Sequence, residues 1–234
     1  MRKDAVRKPV IGILGAGKLG SVLARLIVDV GYDVVVGTSR DPQRIALTIE
    51  VLAPGATVAT AQDVAARADI VILAIPLGKL RTVSADDLAD KLVIDATNYW
   101  WEVDGFPDEL TDPLITTSEL VQRHLDRSRV VKALNHVGYH DIDDEARPAG
   151  ASDRTAIGIA GDHPDDLALV ARLVDDIGFD PVIVGALADG VMLEPGTEPF
   201  GASVSADELR AMVERYPESQ RSLRIRTALA RRAS

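Results

Sequence analysis

Three glycines in the hexapeptide GAGKLG, Gly15, Gly17 and Gly20, have the G-x-G-x-x-G spacing. That spacing suits dinucleotide binding, with a tight turn at the first glycine, close approach of the backbone to a pyrophosphate at the second, and close helix packing at the third. Free N–H groups at the start of the helix then meet the phosphate charge. Glycine-rich hexapeptides arise by chance, so context decides; here the run follows an apolar, strand-like stretch and opens an amphipathic helical one. The next strand indicates which dinucleotide. An NAD site carries Asp or Glu about twenty residues beyond the glycines, where the carboxylate binds the ribose 2′-hydroxyl. This chain reads VVVGTSRDP, with Thr38, Ser39 and Arg40, no carboxylate before Asp41, and Arg44 one turn later. An acid would repel a 2′-phosphate, whereas two hydroxyls and a guanidinium can hold it by charge-assisted hydrogen bonds. The expected cofactor is NADP(H).

A second set of residues could move protons. In NHVGYH, His136 and His140 lie four apart and precede Asp141, Asp143 and Asp144. These are metal-ligand types, but Gly138 suggests a loop rather than one helix face and the acids suit a solvated surface, so no metal is expected. Reducing a carbonyl or imine requires an acid; His136 and Tyr139 are the weak catalytic candidates, with Lys132 close by in sequence. A third set is aromatic: Tyr99, Trp100, Trp101 and Phe106 fall within eight residues of a chain with 2 Trp, 4 Tyr and 3 Phe. They could stack on a planar substrate or line an apolar pocket. They could equally pack the loop onto the body or form an oligomer contact, with a homodimer as the simplest assembly.

The elements that must position these residues follow from hydrophobic rhythm. Apolar, β-branched runs recur at 10–14, 33–37, 57–60, 70–75 and 92–95, each followed by a more polar or helical stretch. That alternation predicts parallel strands with crossover helices, and almost wholly apolar strands such as DIVILAI predict a sheet covered on both faces. Leu19, Val22, Leu23, Leu26, Ile27 and Val30 form one helical stripe that Gly31 can end. After Asn98 comes an irregular stretch of about twenty residues, then a helix with a capping box of Thr116 and Glu119. Further strands are expected at 130–134, 155–160 and 181–184, with a helix near 164–177, as additions to the same sheet. No Pro/Gly/Ser-rich linker divides the chain, so the expected fold is α/β: one Rossmann-type, doubly wound, mostly parallel sheet in a single domain spanning 1–234. Residues 1–9 read as an N-terminal extension. Residues 221–234, RSLRIRTALARRAS, read as a solvated basic helix or tail.

Composition excludes other classes. The net charge of −10 and 47% hydrophobic residues describe an acidic globular protein. Its field repels phosphate backbones and anionic lipid, so no nucleic acid and no membrane is expected as a partner; a small-molecule redox substrate is. The chain has no cysteine, which removes disulfides, thiolate nucleophiles and most structural zinc sites. The N-terminus shows no signal-peptide run and no 18-residue apolar stretch occurs, so a cytoplasmic location is expected.

Taken together, ILGAGKLGSVLARLIVDVGYDVVVGTSRDP, ADIVILAIPLGKL, LVIDATN and VVKALNHVG make residues 10–140 resemble the coenzyme F420-dependent NADP oxidoreductase family. That family is related to pyrroline-5-carboxylate reductase in its nucleotide-binding half. The resemblance implies hydride transfer between NADPH and the deazaflavin F420, a reaction in which alignment matters more than acid–base chemistry. By position it puts Gly15, Ala16, Lys18 and Leu19 on the pyrophosphate and Thr38, Ser39, Arg40 and Arg44 on the 2′-phosphate. Ala74, Ile75, Pro76, Asn98, Ala133 and Asn135 would surround the ribose and nicotinamide. Two features depart from the family pattern: the long aromatic loop after Asn98, where a shorter loop commonly begins with proline, and the NHVGYH segment. Both bear on the second substrate, for which an NADPH-dependent carbonyl or imine reductase and a non-catalytic NADPH-binding redox sensor are the alternatives. Only residues 185–234 follow the last expected strand, too few for the long helical substrate domain of the hydroxyacid dehydrogenase and pyrroline-5-carboxylate reductase relatives.

Overall fold

The computed structural model describes residues 7–39, 41–105, 112 and 114–233. Arg40 and Phe106 therefore lie outside the described residues, and so does most of the N-terminal extension. Eight strands form one sheet: β1 (Ile11–Leu14), β2 (Val34–Thr38), β3 (Thr57–Thr60), β4 (Ile70–Leu73), β5 (Leu92–Asp95), β6 (Arg129–Lys132), β7 (Ala156–Gly161) and β8 (Asp180–Gly185). Their order is β3-β2-β1-β4-β5-β6-β7-β8. All neighbours are parallel except β6 and β7, which pair antiparallel through Val131–Gly161 and Lys132–Ala160. The expected mostly parallel α/β sheet with added C-terminal strands is the one observed.

Each strand's alternation divides its side chains between two cores. Ile70 and Ile72 join Ile11, Ile13, Val34 and Val36 on one face, while Val71 and Leu73 join Leu14, Val35 and Val93 on the other. Both faces are therefore dry, which is why these strands are nearly continuous apolar runs. On the first face lies α1 (Lys18–Asp29), which buries Leu23, Ala24, Leu26 and Ile27. On the second lies α3 (Ala61–Arg67), after α2 (Gln43–Leu52). Close docking of α3 requires Gly12 in β1, since a Cβ there would stand 2.6 Å from Val64 Cγ1 and 2.7 Å from the Ala68 Cβ.

Among its described residues, the stretch after Asn98 contains one helical turn, α4 (Trp101–Asp104). Next comes α5 (Thr117–His124), which starts at the expected capping box: Thr116 Oγ1 accepts from the Glu119 N–H and Glu119 accepts from the Thr116 N–H. Gly138, expected in a loop, is the N-cap of a short helix, α6 (Tyr139–Asp144). It is followed by α7 (Pro164–Asp176) and α8 (Ala206–Arg215), and residues 220–233 form α9 (Gln220–Ala233), so the basic C-terminal stretch is helical. Among the described residues no helix is long and apolar enough to cross a membrane.

Candidate functional site

Strand order reverses between β1 and β4, so the connections leave these two strands in opposite directions and open a crevice at their carboxyl ends. The glycine loop sits there. Gly15 has φ +124° and its N–H donates to the Gly37 carbonyl at 3.1 Å, pinning the turn to β2. A Cβ at Gly15 would stand 2.2 Å from the Ala74 carbonyl oxygen, and one at Gly20 would stand 1.9 Å from that of Gly15. The third glycine thus makes room for the turn itself more than for a strand. Gly17 differs: a Cβ there would meet nothing within 4 Å. It is the N-cap of α1, without a side-chain cap and with no acid in the first turn, so that helix start is left for an external anion.

Two clefts flank this loop. One, of about 530 Å³, is lined by Gly15, Ala16, Thr38 and Ser39 from the β1 and β2 ends, together with Gln62, Lys79 and Ser84. The other, of about 460 Å³, is lined by Leu19, Ala74, Asn98 and Asn135 together with Trp100, Tyr139 and Phe200. Ile75 and Pro76 line both, so the turn after β4 joins them. A dinucleotide needs such a pair of chambers with its pyrophosphate between them.

The first cleft brings Thr38 and Ser39 together as expected, whereas Arg44 is exposed on α2 and is not among its lining residues. Lys79, on the 3-10 turn Leu77–Thr82, joins them without any motif to announce it. Only its place just after β4, at the same sheet edge as Thr38, could have suggested it.

In the second cleft two amides interlock. Asn98 Nδ2 donates to the Asn135 carbonyl at 2.8 Å, and Asn135 Nδ2 donates to Asn98 Oδ1 at 3.0 Å and to the Leu193 carbonyl at 2.7 Å. Asn135 Oδ1 is buried without a hydrogen-bond partner. The preceding Leu134 holds φ +63°, a left-handed conformation that is rare for a branched side chain and costs on the order of 1–3 kcal/mol. Ala133 is buried in the core and lines neither cleft. Beneath the amides lies an ionic cluster, all of it buried. Lys132 Nζ donates to Asp95 Oδ2 at 3.1 Å, the Thr97 carbonyl at 2.7 Å and Thr117 Oγ1 at 3.2 Å. Lys132 is therefore no proton source for a substrate; it is consumed in fixing the β5 turn that carries Asn98.

His136 also departs from expectation. Its Nε2 accepts from the Gly158 N–H at 2.8 Å and its Nδ1 lies 3.2 Å from the Pro199 carbonyl, which assigns the Nδ1–H tautomer. Burial pushes its pKa down to about 4, the Pro199 carbonyl opposing only in part. Both nitrogens are occupied and the ring is neutral, so His136 is a strut and not the expected proton donor. Tyr139 keeps a functional position: half-buried at the cleft wall, its hydroxyl accepts from Lys18 Nζ at 2.8 Å. His140 lies tilted against Tyr139, ring centroids 4.0 Å apart, and no metal-ligand cluster of three occurs among the described residues.

The residues of the aromatic loop have separate roles. Tyr99 packs onto the second core and donates to the Gly105 carbonyl at 2.7 Å. Trp100 lines the second cleft and meets Phe200 edge-on, ring centroids 5.7 Å apart. Asp104 ties the loop down by accepting from the Trp100 N–H at 2.9 Å and the Gly78 N–H at 2.7 Å. Phe200 carries no motif and comes from a remote part of the chain, so no sequence signal marks it.

Residues 10–99 match the profile of the family described as "NADP oxidoreductase coenzyme F420-dependent". Among solved structures, the chain is similar to a "putative f420 dependent nadp-reductase" from Arthrobacter sp. FB24, at 25% identity, TM-score 0.66, covering 79% of this chain and 88% of that one. It is also similar to a hypothetical protein of Sinorhizobium meliloti, SMa0349, at 25% identity and TM-score 0.73, covering 84% and 95%. The metalloreductase STEAP3 of Rattus norvegicus is 28% identical over 188 residues, 80% of this chain and 36% of the rat protein. The chain spans less than half the length of the curated relatives it matches. The glycine loop, the hydroxyl pair and the β4 and β5 ends all fall within residues 10–99, the stretch that is similar to the coenzyme F420-dependent NADP oxidoreductase family.

Proposed function

We propose that this protein binds NADP(H) across the two clefts and passes a hydride between it and a second redox molecule, with the deazaflavin F420 as the leading partner. The observation that carries this reading is the junction of the clefts at Ile75 and Pro76 on either side of a glycine loop whose Gly17 is open and whose helix start is uncapped. The residues present fit the cofactor. Thr38, Ser39 and Lys79, with Arg40 by sequence, supply donors and positive charge for a 2′-phosphate. The α1 N-terminus supplies N–H groups for the pyrophosphate, and Asn135 Oδ1 offers an unpaired acceptor to a carboxamide. When bound, NADPH supplies the hydride at nicotinamide C4.

The protein's own contribution is alignment and exclusion of water. Asn98 and Asn135 hold each other in place, the Lys132–Asp95 pair fixes the turn below them, and apolar walls cover the reacting face. A carbonyl or imine reductase is the second reading, and one observation favours it: the Tyr139 hydroxyl lies at the cleft wall, hydrogen-bonded to Lys18, where a reductase would place its acid.

The test mixes purified protein with NADPH and oxidised F420 and follows the deazaflavin absorbance, with NADPH binding measured separately. Loss of absorbance with turnover supports the leading partner. NADPH binding without turnover, together with reduction of a ketone that Tyr139→Phe abolishes, selects the second reading. No NADPH binding sinks both.

A further inference from the structure

The second cleft has a charge pattern that restricts what can share it with the cofactor. Its described lining contains no Lys, Arg, Asp or Glu; its polar side chains are Thr97, Asn98, Asn135, the Trp100 indole N–H, the Tyr139 phenol and the neutral ring of His136. The cation tied to this wall is Lys18, which donates to Tyr139 and belongs to the glycine loop, where the pyrophosphate would engage it. A carboxylate entering the cleft would lose hydration without meeting a positive charge among the described lining, which selects against it.

One wall is built from two distant parts of the chain. Trp100 comes from the loop after β5, fastened by Asp104. Phe200 comes from the segment after β8, fastened at His136, whose ring meets the Pro199 carbonyl and whose own carbonyl accepts from the Gly201 N–H at 2.7 Å. The same segment is held at Glu194, which accepts from the Thr117 N–H at 2.7 Å and the Thr117 hydroxyl at 2.9 Å. A half-exposed aromatic pair on a tethered frame, facing a cleft of about 460 Å³, presents a preformed face to a flat ring.

We infer that the Trp100–Phe200 pair is the specificity determinant for the second substrate: the cleft accepts a planar, uncharged ring system and rejects partners that carry a carboxylate at the reacting end. This rests on the NADP(H) reading above and adds the substrate class of the same site.

A matched pair of probes tests it: acetophenone, and 4-acetylbenzoate, which is the same ring with a carboxylate. Binding of each is measured by calorimetry with and without saturating NADP+, and tryptophan fluorescence reports location, since the chain's 2 tryptophans are Trp100 and Trp101. We expect acetophenone to bind at least about 10-fold tighter than 4-acetylbenzoate and to quench fluorescence. Quenching should survive Trp101→Phe and be lost in Trp100→Phe. Phe200→Ala should weaken acetophenone about 5- to 10-fold, in line with loss of one aromatic contact, and Phe200→Tyr should restore it. Thermal melts of each variant, together with retention of NADP+ binding through the glycine loop and the first cleft, show that the fold is intact. Equal binding of the two probes overturns the inference, as does failure of acetophenone to bind or an unchanged affinity in Phe200→Ala. If wild type ignores NADP+ yet still discriminates between the probes, the pocket inference stands and the cofactor reading falls.

Discussion

His136 shows how much a residue's role depends on partners the sequence does not place beside it. NHVGYH offers a histidine and a tyrosine three apart, and by residue type the histidine is the better proton donor at neutral pH. Its partners Gly158 and Pro199 lie 22 and 63 positions away, so its role as a strut was not legible, while Tyr139, three residues on, keeps its hydroxyl at the cleft. The burial has a measurable consequence. The folded pKa of about 4 lies below the ordinary 6.5, so between those values the unfolded chain takes up a proton that the folded chain does not. Stability should therefore fall as pH is lowered through this window, by about 3 kcal/mol in all, and be restored as pH rises above 6.5. Of the carboxylates held below their usual range, Asp176 and Asp112 lose their contribution only below 3.8 and Glu208 only below 4.5, so measurements from pH 7 to 4.5 isolate the histidine. In urea melts at pH 7, 6, 5 and 4.5, His136→Gln should start less stable than wild type and show a flatter pH dependence. Parallel curves for the two proteins would mean that another group carries the titration.

At the scale of elements, the strands and the first helix were legible because each carries its own periodicity and its own punctuation. β3 and β5 have the expected limits, and the capping box that opens α5 formed as written. The antiparallel pairing of β6 with β7 was not legible, because a short strand buried on both faces reads the same in either direction. Nor was the convergence of Lys79 with Thr38 or of Phe200 with Trp100, since no local pattern links an element to a remote loop. The start of α1 allows fold and function to be separated by mutation. Gly17 has φ −82° and open space where a Cβ would lie, so Gly17→Ala should change stability by no more than about 0.5 kcal/mol. The added methyl would occupy the path of an approaching pyrophosphate, so NADPH affinity should drop at least about tenfold. Gly20→Ala should behave oppositely, damaging the fold itself, because its Cβ would overlap the Gly15 carbonyl. Thermal melts beside NADPH titrations check both, and undiminished NADPH binding by Gly17→Ala would remove the α1 N-terminus from the proposed site.

Across the whole molecule, one sheet carries both chambers. The β1–β4 reversal supplies the crevice, the β2 and β3 side forms the first cleft, and the β5 and β6 ends with the segment from Leu193 to Gly201 close the second. A ligand spanning them touches elements from Gly15 to Phe200, and the unfolded chain has no such surface. Binding should therefore stabilise the entire fold by mass action, by roughly 2.7 kcal/mol at a hundredfold excess over Kd. For a chain of this size that corresponds to a rise in Tm of roughly 5–10 °C. The distribution of charge decides which dinucleotide gives that rise. Thr38, Ser39 and Lys79 line the first cleft, and Arg40 joins them by sequence, so the 2′-phosphate should account for most of the difference between NADPH and NADH. At equal concentration NADPH should raise Tm by several degrees more than NADH. Lys79→Ala and Arg40→Ala should each narrow the gap, and the double variant should come close to abolishing it. The added salt needed to erase the NADPH advantage should also fall in each single variant, because fewer charges then hold the phosphate. Equal shifts from the two dinucleotides in wild type would refute the assignment of this cleft to a 2′-phosphate, while leaving the dinucleotide site at the glycine loop intact.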